Sequence, residues 1–578
     1  MFNACKTFAD ICRKNAQDFG EETAYLFSNS QAVTGTLSFA QLDAEATRIA
    51  GALYARCQPG DRVLLAFESA QEFVQAFFGC IYAGVVAVPL SRPTGERHSR
   101  KIRAIAVDAG SGLILTDHAW GLDAEDGLSG IELLGLDQLL ARYGDVLPSG
   151  LAVADSAPVF LQYTSGSTGN PKGVVVTHRS LLANERMICD ACRHDRETVF
   201  VGWLPLFHDM GLVGNVLQPA FLGIKSVLMP PAAFVRRPLR WLTLISEHRG
   251  TTSGGPNFGY EMCVRRIRDA DIDALDLRSW RIAFNGAEPI RAETLRAFAR
   301  RFARAGFSER AFFPVYGLAE ATLLVTAPKL DVAPRVLELP QEPADADQAR
   351  RRDDPASAAR LELVGCGTPR GDEVLRIVDP KSGRVLADKQ VGEIWVRGSN
   401  IAAGYWANPD LTRQVFQART HDGDGPFLRT GDLGFVDGGE LFVSGRLKDV
   451  IIINGRNHYP SDIESTVSAC ASQFAGRPCA AFSADPTRGE GLAVAQEVAK
   501  TLFLRSEGPA GLQRDLKQCV RDAVLAQHGV APAHVLLVPQ GSLPMTTSGK
   551  LQRSLCRELF SRGELQELTS VGETTLAP

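Results

Sequence analysis

The sequence predicts an α/β fold, and three observations carry that prediction. Helix and strand signals alternate through the first third, short β-rich segments gather beyond residue 393, and mixed α/β character resumes to about residue 562. Alternation of this kind argues for a mostly parallel sheet covered by helices. At Ser38-Phe-Ala-Gln41 the spacing has the form of a capping box, in which the serine hydroxyl bonds a free backbone N–H of the first turn. Leu42, Ala46, Ile49 and Leu53 then recur at helical spacing and predict one apolar face. Pro59-Gly60 signals a turn, 63–67 a short apolar strand, 73–83 a helix and 85–88 another strand. Further on, Glu393-Ile-Trp-Val396, Leu441-Phe-Val443 and Val450-Ile-Ile-Ile453 read as strands.

Composition narrows the class. At about 150 residues per domain, a chain of 578 residues suggests three or four folding units. With 45% hydrophobic and 22% charged residues it is neither disordered nor fibrous. Lys plus Arg is 62 against 66 for Asp plus Glu, a net charge of -4, so no nucleic-acid partner is expected. The 12 cysteines are scattered far below the density of a disulfide scaffold, which points to a reducing compartment. Cys189 and Cys192 form a Cys-x-x-Cys with no second pair, and read as ordinary thiols rather than a zinc site. The first twenty residues carry Lys6, Asp10, Arg13 and Lys14 without a long apolar run, unlike a signal peptide. The uncharged run 76–90 is too short to span a bilayer and is punctuated by Gly79, Gly84 and Pro89, so a buried helix end and a buried strand are expected there. These readings place the chain in the cytoplasm with no membrane span. The charge-dense stretch 344–360 reads as a solvated linker or a solvent-facing helical insertion, and the tail 569–578 as disordered.

One loop carries chemistry. Val159-Phe-Leu-Gln-Tyr163 reads as a buried strand and runs into Thr164-Ser-Gly-Ser-Thr-Gly-Asn-Pro-Lys-Gly173. Gly166 and Gly169 let the backbone aim N–H groups at an anion, Thr164, Ser165, Ser167 and Thr168 add hydroxyls, and Lys172 adds charge. The pattern suits a polyphosphate. It is not a Walker A loop, because Lys172 stands between Pro171 and Gly173 instead of before Ser or Thr. A flexible Ser/Gly linker is the plain alternative.

The stretch Tyr163–Gly173 resembles the nucleotide loop of the adenylate-forming superfamily, which includes acyl-CoA synthetases, luciferases and peptide-synthetase adenylation domains. Further blocks follow in that superfamily's order: Trp203-Leu-Pro-Leu-Phe-His-Asp-Met-Gly211, Asn285-Gly-Ala-Glu-Pro289, Tyr316-Gly-Leu-Ala-Glu-Ala-Thr322, Gly392-Glu-Ile-Trp-Val-Arg-Gly398, Arg429-Thr-Gly-Asp432, Gly445-Arg-Leu-Lys-Asp449 and Ser548-Gly-Lys550. The resemblance spans residues 20–560, approximately. It implies a large N-terminal domain, 1–447, built of α/β sheets plus a β-rich subdomain, and a small mobile α+β C-terminal domain, 448–578, hinged at Lys448.

The resemblance also implies the parts. Thr164, Ser165, Gly166, Ser167, Thr168, Gly169 and Lys172 would hold the β- and γ-phosphates of ATP and the departing pyrophosphate. Glu320 matches a magnesium-coordinating glutamate. Tyr316 would stack on adenine, with Gly317, Leu318 and Ala319 completing its block and Gly286, Ala287, Glu288 and Pro289 lining the base pocket. Asp432 would accept hydrogen bonds from the ribose hydroxyls, Arg446 would contact the same nucleotide, and Lys550 would reach the α-phosphate and the attacking carboxylate. His208 lies in the block that walls the acyl pocket, where it steers the carboxylate, gates the pocket or is a satisfied core histidine; His178 and Asp209 are weaker candidates.

Within the superfamily the chain resembles the long-chain fatty acyl-AMP ligases, through Trp203–Leu212, Ser253-Gly-Gly-Pro-Asn-Phe-Gly-Tyr260, Ser279–Pro289 and Gly455-Arg-Asn-His-Tyr-Pro-Ser-Asp-Ile-Glu464. Ala319 replaces the threonine that many superfamily members carry, as in that branch, and leaves open which hydroxyl serves the α-phosphate. Residues 324–363 stand where the branch carries an insertion that disfavours coenzyme A. The implied activity is activation of a medium- or long-chain fatty acid with ATP and Mg²⁺, then transfer to the phosphopantetheine thiol of a holo-acyl carrier protein. An acyl-CoA synthetase and a catalytically silent binding protein are the alternatives.

Overall fold

The structure is a computed structural model that describes residues 5–93, 95–117, 128, 130–144, 146, 153–164, 171–340, 360–453, 456–485, 490–499, 501–502, 509–546 and 550–568. The chain divides into two compact units. One comprises Met1–Arg335, Val364–Thr430 and Phe435–Phe442; the other comprises Val336–Leu363, Gly431–Gly434 and Val443–Pro578. Length overcounts the units, because two large sheets share the first one.

In the first unit the helix Phe39–Tyr54 starts as its sequence dictates. Ser38 Oγ accepts from the Gln41 N–H at 3.2 Å, and Gln41 Oε1 accepts from the Ser38 N–H at 2.9 Å. Leu42, Ala46, Ile49 and Leu53 are all buried. The next helix, Ala70–Ala83, begins before the expected 73 because Ser69 caps it, accepting from the Glu72 N–H at 3.3 Å. A Cβ at Gly79 would stand 2.3 Å from Ile49 Cγ2, so glycine lets the two helices approach this closely. The buried strand Val86–Pro89 follows, and the apolar run 76–90 is thus core helix and core strand. Among the described residues no helix is long and apolar enough to cross a membrane.

A six-stranded sheet takes the order Glu132–Gly135, Leu113–Thr116, Arg62–Leu65, Val86–Pro89, Pro158–Thr164, Lys172–Thr177. Its neighbours are parallel except the last pair. A seven-stranded sheet takes the order Phe312–Pro314, Ile282–Asn285, Thr252–Gly255, Phe200–Gly202, Ser226–Leu228, Thr23–Ser28, Val33–Ser38, again parallel except at its last pair. The parallel strands expected from the alternation are therefore present, in two sheets. The β-rich region is a four-stranded sheet of order Val374–Val378, Gly392–Arg397, Leu428–Asp437, Glu440–Arg446.

An aromatic cluster fills the core beside the seven-stranded sheet. Trp280 lies 5.3 Å from Trp241 and 5.2 Å from Phe307 between ring centroids, and its indole N–H donates to the Ile282 carbonyl at 2.9 Å. Tyr260 and Phe298 extend the cluster, 5.2 Å apart.

The second unit holds a three-stranded sheet, Cys479–Asp485, Glu490–Val498 and His534–Pro539, with helices Pro460–Cys470, Pro509–His528 and Arg553–Ser561. Ile463, Val467, Val494, Val520, Val524 and Leu537 form its core. It also holds the strand Val336–Pro340, paired with Arg360–Val364 in a two-stranded sheet. Residues 344–359 and 569–578, where the sequence suggested a polar insertion and a loose tail, lie outside the described residues.

Trp280→Ala should lower stability by about 3–5 kcal/mol, the usual cost of emptying a large aromatic site in a packed core. Urea unfolding followed by circular dichroism measures it; a loss under about 1 kcal/mol would show that the cluster does not bear on folding.

Candidate active site

The six-stranded sheet presents the proposed phosphate turn. Thr164 ends one strand directly across from Lys172, which begins the next. Between them Ser165, Gly166, Ser167, Thr168 and Gly169 lie outside the described residues. Lys172 Nζ stands 5.6 Å from the centroid of the Tyr405 ring, within cation–π range. The Tyr405 hydroxyl donates to Glu320 Oε1 at 2.9 Å. Burial and the Glu320 carboxylate hold this phenol above its ordinary range, so it remains a donor at physiological pH. Two residues 148 positions apart in sequence, Lys172 and Glu320, thus meet one tyrosine. Sequence reasoning missed Tyr405, which sits in Asn400-Ile-Ala-Ala-Gly-Tyr-Trp406, a stretch whose one signal is an aromatic pair after small residues.

Glu320 rides on a tight turn, Ala319–Ala321. Gly317 permits it, since a Cβ there would stand 1.9 Å from the Leu323 carbonyl oxygen. Thr322 takes φ of 66°, and its hydroxyl donates to the Asn400 carbonyl at 2.6 Å. That hydroxyl is committed to backbone and does not replace the group missing at Ala319. Asn400 Nδ2 donates to the Ala321 and Leu324 carbonyls at 3.2 and 3.1 Å, and the Ala402 N–H donates to the Glu320 carbonyl at 2.9 Å. Behind this clamp sits Glu373, 8% exposed, its carboxyl beside the Asn400 side chain. Burial pushes the Glu373 carboxyl up to about 8, so it carries a proton at neutral pH.

The remaining pieces of the first unit cluster at strand ends. Gly286, Ala287, Glu288 and Pro289 follow the strand Ile282–Asn285, and the Tyr316-Gly317 pair follows the strand Phe312–Pro314; these strands are parallel neighbours. In open α/β sheets, ligands bind outside the carboxyl ends of such strands. Ala287 has φ of 68°, and Glu288 accepts from the Phe258 N–H at 2.6 Å. Tyr316 and Ala319 are buried, while Leu318 turns the chain by bonding its N–H to the Leu323 carbonyl at 3.0 Å. Asn285 is fully buried with both amide atoms unpartnered, an orphan polar group that the edge of a purine would satisfy.

His208 sits half-buried just before the short helix Asp209–Leu212, its Nδ1 2.6 Å from Asp209 Oδ1. The block is tied to the phosphate-turn strand by Gln162, whose amide donates to the Phe207 carbonyl at 2.9 Å. His178 is different. It is buried, its Nδ1 accepts from the Phe8 N–H at 3.1 Å, and burial lowers it to about 4, which makes it a neutral structural acceptor.

In the second unit Asp432 is buried and paired with Arg446 Nε at 3.0 Å. Lys448 is exposed in a turn closed by the Val450 N–H on the Arg446 carbonyl at 3.2 Å. Lys550 sits in a loop held by its own N–H on Thr546 Oγ1, at 2.9 Å, and by the Thr546 N–H on its carbonyl, at 2.6 Å. Arg553 joins the Lys550 loop to the Lys448 turn. It grips Glu464 through two bonds of 2.7 Å and reaches Asp449 at 3.3 Å. Among the described residues no group of three or more His, Cys, Asp or Glu could hold a metal by itself.

The AMP-binding enzyme family matches this chain over residues 12–406, and the Disco-interacting protein 2-like AMP domain matches residues 448–570. The chain is 39% identical over 582 residues to the medium-chain-fatty-acid–acyl-carrier-protein ligase JamA of Moorena producens, covering 97% of this chain and 96% of that one. It is 36% identical over 580 residues to the long-chain-fatty-acid–AMP ligase FadD26 of Mycobacterium marinum, covering 96% and 97%. The crystal structure of a fatty acyl-adenylate ligase from L. pneumophila in complex with acyl adenylate and pyrophosphate is similar at TM-score 0.74 and 36% identity, covering 98% of each chain.

Two measurements probe the supports of the site. Glu373 is raised from 4.5 to about 8 in the folded chain. The folded state therefore binds the extra proton, and this contribution is complete below about pH 4.5 and lost as pH rises through 8. Glu373→Gln should remove a slope of up to about 1.4 kcal/mol per pH unit in that window; an unchanged slope in denaturant titrations would show that Glu373 is ionised. Arg553→Met should cost about 2–3 kcal/mol, because it leaves the buried Glu464 carboxylate without its cation. Thermal denaturation checks this, and a variant as stable as the parent would remove the clamp from the structure's supports.

Proposed function

Because the chain belongs to the AMP-binding enzyme family, among its fatty acid–AMP ligase members, we propose that it activates a medium- or long-chain fatty acid as acyl-adenylate and passes the acyl group to the thiol of a holo-acyl carrier protein. The observation that carries this reading is the convergence of Lys172 and Glu320 on Tyr405, next to a turn of the kind that cradles polyphosphate. The carboxylate oxygen of the fatty acid attacks the α-phosphorus of ATP, and pyrophosphate leaves. Two anions meet in that step, so cations must face both.

Lys172 and the turn from Thr164 through Ser165, Gly166, Ser167, Thr168 and Gly169 hold the β- and γ-phosphates as charge shifts onto pyrophosphate. Glu320, which accepts from Tyr405, would be the carboxylate that holds a metal. That suits Mg²⁺, which binds through one or two carboxylates plus substrate phosphates and would neutralise the phosphate charge. Asn285, Gly286, Ala287, Glu288, Pro289 and Tyr316 receive adenine. Asp432 takes the ribose hydroxyls with Arg446 beside it, and Lys550 brings the second cation to the α-phosphate and the carboxylate. His208 stands at the acyl wall. For the second half-reaction the C-terminal domain, 448–578, turns about Lys448 and withdraws Lys550, and Arg553 makes hinge turn and lysine loop move together. The segment 336–363, grouped with the second unit, sits in the insertion that disfavours coenzyme A. The cytoplasm supplies ATP and keeps the 12 cysteines reduced.

Given fatty acid, ATP and Mg²⁺, the enzyme should release pyrophosphate and then acylate holo-carrier protein, with little acyl-CoA when coenzyme A is offered. Product masses decide. Efficient acyl-CoA formation would make it an acyl-CoA synthetase, and absence of any acyl-adenylate would make it a binding protein. Lys550→Ala should slow adenylation by at least about 100-fold while leaving ATP binding measurable; parental rates would remove Lys550 from the mechanism.

A further inference from the structure

An open cleft of about 220 Å³ lies in the first unit, where the helix Pro231–Arg236 ends, Leu239–His248 begins and Asn257–Arg266 ends. Arg236, Arg237, Arg266 and Arg268 line it against a single acid, Asp271. That acid is already taken, because Arg268 grips it with two bonds of 2.9 and 3.0 Å. Arg266 is committed to backbone, donating to the Val235 and Arg236 carbonyls at 2.5 and 3.2 Å, and so fixes the wall. The Arg236 and Arg237 side chains are adjacent and exposed, and among the described residues neither makes a hydrogen bond or close ion pair, Arg237 acting on Asp271 only at longer range. The chain as a whole carries a net charge of -4, so this is a local concentration and not a general surface property. Val235, 47% exposed beside them, adds an apolar contact. An excess of one sign of charge around a cleft, here four arginines to one acid, steers and orients a partner of the other sign.

We propose that this cleft docks an acidic face of the acyl carrier protein; the inference rests on the function proposed above and adds the surface where the second substrate sits. Its distance from the chemistry supports the assignment. The helix Asn257–Arg266 runs from the base-pocket segment to the cleft: Phe258 donates to Glu288 at 2.6 Å, and Arg266 follows eight residues later, about 12 Å along the axis. A carrier seated on Arg236 and Arg237 holds its tethered thiol within about one helix length of that segment.

The test uses the full-length R236E/R237E double variant, R236K/R237K as the conservative control, and a holo-acyl carrier protein of fatty acid synthesis as acceptor. Pyrophosphate release without acceptor should stay within about twofold of the parent, which also reports correct folding, while the KM for carrier protein rises about tenfold or more. The lysine variant should keep the parental KM, and added salt should slow transfer by the parent more than by the glutamate variant. An unchanged KM for the carrier, or equal losses with carrier protein and with free pantetheine, would overturn the docking assignment. If the parent itself forms no acyl-adenylate, the functional reading fails first and the docking proposal falls with it.

Discussion

Lys172 and Glu320 are spaced by one tyrosine. Tyr405 offers its hydroxyl to Glu320 at 2.9 Å and its ring face to Lys172 at 5.6 Å. A phenol can bind a carboxylate through its hydroxyl and an ammonium through its ring face, and so fixes the spacing of the two. Its loop is in turn stitched to the strand Lys172–Thr177, since the Trp406 N–H donates to the Gly173 carbonyl at 2.8 Å and the Val175 N–H to the Gly404 carbonyl at 2.9 Å. Placing the acid therefore depends on backbone bonds between segments far apart in the chain.

The architecture explains why the site sits where it does. Parallel strands buried on both faces deliver their carboxyl ends to one edge, and the loops leaving that edge need no regular pairing. Gly286 to Pro289 and Tyr316 leave neighbouring strands there. Two non-glycine residues near this edge take left-handed backbone, with φ of 68° at Ala287 and 66° at Thr322. Such conformations persist when surrounding bonds over-determine them, as Asn400 and Asn184 do around the Glu320 turn; Asn184 bonds the Leu324 backbone at 2.9 and 3.1 Å.

In the second unit Arg553 holds Glu464 in a bidentate carboxylate grip, and Glu464 anchors that grip to the sheet by accepting from the Ala481 N–H at 3.1 Å. Arg553 also reaches Asp449, so one side chain ties the turn at 446–450 to the start of the helix Arg553–Ser561.

Much of this was legible in the residues. The capping box at Ser38, the apolar faces, the parallel strands and the buried strand that ends at Thr164 all follow from local spacing, because caps and alternating strands are decided by neighbours in the chain. Family resemblance marked Lys172, Glu320, Asp432 and Lys550 from their motifs. Tyr405, Asn400, Glu373 and Arg553 were not legible as supports of a site, since adjacent motifs such as Ser548-Gly-Lys550 and Gly392–Gly398 do not say which distant groups these side chains meet. Tyr405, Asn400 and Arg553 act on partners 76–104 positions away or more, and only folding, which trades chain entropy for those contacts, decides who meets whom. Sequence determined the elements and the chemistry on offer; tertiary structure decided which backbone atoms and side chains hold that chemistry in place, because a hydrogen bond is specified by distance in space and not by separation along the chain.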